Sequence, residues 1–180
     1  MGCSLPNRPA MPASPIPSLV RLAQRGRIER TARGVYRIPY VPLNRFSQYR
    51  EAVLWAKAHR GPINVAISHE TALLVVYGIS DANPASIHLT VPSVARLRRE
   101  CPKAIVVHRA DLAPNEITTV EGLPLTTISR TIADLLKSGG RIDLARQAII
   151  DARKEGFVSS AEAQRLRGRL QQHLSGLRAS

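Results

Sequence analysis

Six arginines crowd a stretch of twenty-one residues, Leu19 to Pro39: Arg21, Arg25, Arg27, Arg30, Arg33 and Arg37. Glu29 is the only acid among them. Guanidinium groups grouped this densely neutralise phosphates and release counterions, which makes nucleic acid the natural partner. Their spacing says what carries them. Leu19, Val20, Leu22 and Ala23 form one helix face, and Gly26 suits the left-handed position that ends a helix. Ile28 to Arg30 and Val35 to Ile38 alternate with period two around Arg33-Gly34, a hairpin turn. A short helix followed by a basic hairpin has the layout of the helix and wing of a winged helix-turn-helix. Arg27, Arg30, Arg33 and Arg37 are expected on phosphates, and Arg21 and Arg25 near base edges. The bland alternative is a solvated αββ fragment packed on a neighbouring domain.

Other groups have reactive types without a matching pattern. Ser68-His69-Glu70 could be catalytic or ligating, but adjacent helical residues point apart and cannot easily share an ion. Ser as a cap and Glu in the first turn of a helix explain the same residues structurally. His69, His88 and His108 fall on separate elements and could converge on a metal, yet no pair among them has ligand spacing. The expectation is that they are ordinary satisfied or exposed histidines. Ser138-Gly139-Gly140 before Asp143 faintly resembles a nucleotidyltransferase loop, but the carboxylate pair that chemistry needs does not follow. With no phosphate loop or nucleophile elbow either, the sequence points to no catalytic residues, no metal and no cofactor. Arg96, Arg98 and Arg99, beside Lys103 and Glu100, form a second basic cluster, read as a solvated helix face.

The net charge of +13 is unevenly spread. Residues 1–60 carry 11 basic and 2 acidic side chains, net +9. Residues 61–140 balance at 7 and 7, and residues 141–180 hold 8 and 4, net +4. A basic end on a neutral body fits a nucleic-acid module carried by a separate domain. Seven aromatic side chains (one Trp, four Tyr, two Phe) argue against base-stacking RNA platforms. Two cysteines give no disulfide framework, and a reducing, cytoplasmic setting is expected. No apolar run approaches the ~18 residues of a membrane span, and the start has no signal-peptide core. Met1-Gly2 could suggest myristoylation, but Pro6 stands where Ser or Thr is needed.

The remaining elements follow from periodicity and breakers. Five prolines in residues 1–17 predict a disordered leader. Asn44 should cap a helix over 45–59 with Phe46, Tyr49, Val53, Leu54 and Ala56 inward. A strand over 63–67 leads to a Ser68-capped helix over 69–77, stopped by Gly78. Strands follow over 86–91 and 104–108, with a short basic helix over 92–99 between them. Glu121-Gly122 turns a hairpin of 117–120 and 123–126, and a Thr127-capped helix runs to Leu136. There Arg130 and Asp134 should form an i,i+4 ion pair worth a few tenths of a kcal/mol. The tail reads as a helical pair, 143–155 and, after a Ser159-x-x-Glu162 capping box, 160–173. The fold class is α/β in the mixed α+β sense: leader 1–17, a partial winged helix-turn-helix over 18–42, and an α/β domain over 43–180 closed by the helical pair.

Several segments, in this order, resemble the AbiEi-type antitoxins of type IV toxin–antitoxin systems, a family of winged-helix transcriptional regulators. They are GRIERTARGVYRIP at 26–39, SHETAL at 68–73 with Gly78, IHLTVP at 87–92, VHR at 107–109 and GLPLTTISRTIAD at 122–134. The resemblance spans roughly residues 18–160. It implies a winged helix on double-stranded operator DNA that represses its own operon. It also implies an α/β domain that counters a nucleotidyltransferase toxin. Members usually have two or more helices before the wing. Here one precedes it, so two expectations stand: an in-frame extension upstream of Met1 encodes another, or the module has decayed and the α/β body carries the function. The competing expectations are a basic RNA- or ribosome-associated protein and, less favoured, a nuclease or transferase.

Overall fold

The computed structural model describes residues 18–179, apart from 33, 58–63, 76, 79–85, 98–99 and 140. The predicted leader lies outside the described residues. The chain divides into two compact units, residues 1–41 and 42–180.

In the first unit, α1 spans Leu19–Gln24, and the Ser18 hydroxyl accepts from the Arg21 amide at 3.3 Å. The helix ends in a Schellman motif. Gly26, at φ +68°, donates to the Ala23 carbonyl, and Arg27 donates to that of Leu22. Strands β1 (Glu29–Ala32) and β2 (Val35–Arg37) then pair antiparallel. The register slips between Arg30 and Ala32, leaving Thr31 as a bulge. Gly34 turns the hairpin at φ +85°. Six residues make a helix of about 9 Å, too short to persist without tertiary support.

The second unit is a mixed five-stranded sheet with helices. Helix α2 (Ser47–Lys57) begins where Asn44 Oδ1 accepts from the Phe46 amide at 3.0 Å. It buries Tyr49, Ala52, Val53, Trp55 and Ala56, whereas Leu54, expected inward, is 52% exposed. Strands β3 (Ala66–Ile67), β4 (Ile87–Val91), β5 (Ile105–Arg109), β6 (Ile117–Val120) and β7 (Leu123–Thr126) take the order β5-β4-β3-β7-β6. The β4–β5 and β3–β7 pairs are parallel, and β3–β4 and β6–β7 are antiparallel. The β6–β7 hairpin turns through Glu121 and Gly122, both at positive φ (51° and 74°), the type I′ requirement.

Helices α3 (His69–Val75), α4 (Ile128–Lys137), α5 (Ile142–Lys154) and α6 (Ser160–Ala179) build an apolar core. Leu73, Ile132, Ile149 and Leu166 are each at most 2% exposed at its centre. The α5–α6 pair is the predicted helical pair, with α6 running past His173. Its capping box is half formed: Ser159 Oγ accepts from the Glu162 amide at 3.1 Å, but the Glu162 carboxylate accepts from Ser129 on α4. The predicted helix over 92–99 does not form among its described residues. Instead Asp111 holds Ser93, accepting from its amide at 3.0 Å and its hydroxyl at 2.7 Å.

Candidate functional site

The arginines of the first unit divide by face. Glu29 and Arg37 are direct cross-strand partners and form an ion pair. Arg37 is therefore already engaged with a carboxylate. Arg30 is opposite Tyr36, one residue along, so its side chain leaves the other face of the hairpin. Arg21 and Arg25 on and just after α1, Arg27 in the connection and Arg30 on β1 are all exposed. Arg33 lies outside the described residues. Four of the six predicted arginines thus present open guanidinium groups.

The second unit holds a site that spacing alone did not reveal. Strand β3 is only two residues long, and the first turn of α3 continues its work as the partner of β4. The Ser68 amide donates to the His88 carbonyl at 3.0 Å, and the His88 amide donates to Thr71 Oγ1 at 2.9 Å. This stitching holds His69 over the sheet. In the parallel β4–β5 pair Thr90 is opposite His108, and Thr90 and His88 share a face by the two-residue period. The three imidazoles therefore meet. His69 stacks on His108 with ring centroids 3.6 Å apart and planes 17° apart. His88 Nδ1 lies 3.0 Å from His108 Nε2, and the His69 and His88 rings are 5.7 Å apart. One ring nitrogen from each lies within 4.8 Å of the other two.

Ser68 does not use its hydroxyl as the expected helix cap. Its Oγ accepts from Thr90 Oγ1 at 2.7 Å and lies 2.9 Å from His69 Nδ1, so it orients the ring. His69 itself sits at φ +54°, a left-handed conformation uncommon for residues other than glycine. Burial is the main force on its titration, followed by His108, His88 and Arg130, and together they lower its pKa to about 3. Burial likewise lowers His88, which Glu70 partly offsets, and lowers His108 together with His88. All three are neutral at pH 7.

Beside the imidazoles lies a cleft of about 360 Å³ lined by His69, His108, Arg109, Arg130, Asp134 and Lys137. Arg130 and Asp134 form the expected i,i+4 pair, with Arg130 Nε 2.9 and 3.0 Å from the two carboxylate oxygens. Arg130 also donates to Glu116 at 2.8 Å. The side chains of Arg130 and Asp134 are only 11% and 8% exposed, so this is a desolvated network rather than a surface pair. Burial pushes the Asp134 carboxyl up, and Arg130 pulls it back. Asp143 points elsewhere, pairing with Arg141 at 2.8 Å on the exposed start of α5.

No family model matches the chain, and no curated protein matches it significantly.

Proposed function

We propose that the protein is a DNA-binding transcriptional regulator of the antitoxin type, with its basic first unit on duplex DNA. The observation that carries this is the set of exposed arginines, 21, 25, 27 and 30, on a compact helix and hairpin separate from the α/β unit. A bulged hairpin beside a short helix offers guanidinium groups at several points along a phosphate backbone, and such contacts fix position without reading sequence. Sequence preference then comes from Arg21 and Arg25 on the helix side. The antitoxin role, countering a nucleotidyltransferase toxin, rests on the resemblance carried by residues 26–39, 68–73, 87–92, 107–109 and 122–134. The α/β unit is the natural carrier of that role, because its charge is close to balanced over residues 61–140 and it holds most of the apolar core.

The test is fluorescence anisotropy with the full chain on three probes of equal length: the promoter duplex of its own operon, an unrelated duplex and a structured RNA. The promoter duplex should bind at least about tenfold tighter than the unrelated duplex, which is about 1.4 kcal/mol. Tighter binding to the RNA would overturn the reading.

A further inference from the structure

We propose that His69, His88 and His108 form a three-histidine site for a borderline divalent transition metal, zinc first, in the α/β unit. The cluster has the right chemistry. Imidazole nitrogen is a preferred ligand for zinc, and three histidines leave a fourth position for water. It also has the right construction. The ligands come from three elements: hydrogen bonds from the Ser68 and His88 amides stitch α3 to β4, and β5 pairs with β4 in parallel. Behind His69 lies the orienting chain Thr90–Ser68, placed as outer-shell partners of metal-bound histidines are. With Nδ1 protonated toward Ser68, His69 keeps the lone pair of Nε2 for the metal.

The distances require a modest adjustment. Zinc–nitrogen bonds of about 2.0–2.1 Å put tetrahedral ligand atoms roughly 3.3 Å apart. The three nitrogens now lie within 4.8 Å, and His88 and His108 already approach to 3.0 Å. The rings of His69 and His108 lie in nearly parallel planes, so one ring must tilt about its χ2 bond for both to aim at one ion. That torsion is soft for histidine. His69 also sits in the left-handed region at φ +54°, a conformation its surroundings must hold. Arg109, Arg130 and Lys137 line the adjoining cleft.

The experiment uses the full chain, stripped with a chelator and titrated with Zn²⁺ against a chromophoric competitor. One equivalent should bind. His88→Gln and His108→Gln, both only half-buried positions, should each weaken binding about a hundredfold with unchanged circular dichroism. Co²⁺ in the wild-type chain should give the visible bands of a four-coordinate, imidazole-rich site, a readout independent of any variant's folding. Absence of stoichiometric binding, or wild-type affinity in both variants, would overturn the proposal. So would a Co²⁺ spectrum of an octahedral aquo ion.

Discussion

Acidification should destabilise the α/β unit well before its carboxylates protonate, and His69 supplies a calculable share. An unfolded histidine titrates near 6.5. In the fold His69 is pushed down to about 3 by burial and by His108, His88 and Arg130. Above pH 6.5 the ring is neutral in both states and contributes no pH dependence. Below it the unfolded chain binds a proton that the folded chain refuses. Stability therefore falls as pH drops from 6.5 toward 3, by about 1.4 kcal/mol per pH unit. Between 6.5 and 5 the loss is about 2 kcal/mol from this one group, large against a typical total of 5–15 kcal/mol. His88 and His108 are lowered in the same direction and add to it. The assay is urea unfolding at pH 8, 7, 6 and 5 in chelator at constant ionic strength. The midpoint should hold from 8 to 7 and fall below 6.5 with an unchanged m value, and His69→Gln should lose about one proton's worth of slope. A flat profile from pH 7 to 5, or an identical slope in His69→Gln, would refute the reasoning.

Other outcomes follow from the same geometry. Arg130→Ala strands the Asp134 and Glu116 carboxylates and should cost about 3 kcal/mol in urea melts, while Arg130→Met with Asp134→Leu should recover most of it. Gly122→Ala should cost about 1 kcal/mol by the same measurement, because φ is +74° while an added Cβ meets nothing within 4 Å. Residues 42–180 alone should melt cooperatively by circular dichroism, since that unit contains nearly all the buried hydrophobic residues.

The elements that were legible in the sequence are those fixed by local chemistry. Glu121-Gly122 between two alternating runs specifies the β6–β7 hairpin, and Gly26, Gly78, Gly139 and Gly156 stand at positive φ just past helix ends. Leu54 was misplaced because the face of α2 is chosen by the sheet beneath it, which takes Trp55 and Ala52 instead. The basic run after Pro92 has helical composition, but Asp111, eighteen residues on from Ser93, captures its start. Spacing specifies the Arg130–Asp134 pair but not its burial. The sequence raises a convergence of His69, His88 and His108 but cannot decide it, for a different reason. It depends on β4 lying between β3 and β5 and on Thr90 facing His108, and strand order and parallel register are tertiary facts.

The claim that the first unit binds duplex DNA through its exposed arginines is tested most directly by the salt dependence of binding. If Arg21, Arg25, Arg27 and Arg30 each neutralise a phosphate, log K against log salt should have a slope of about −3.6. Arg27→Ala with Arg30→Ala should flatten it by about 1.8 and leave the α/β unit folded. Arg37→Ala should change the slope much less, because Arg37 is paired with Glu29. A double variant with the slope of the wild-type chain would contradict the account.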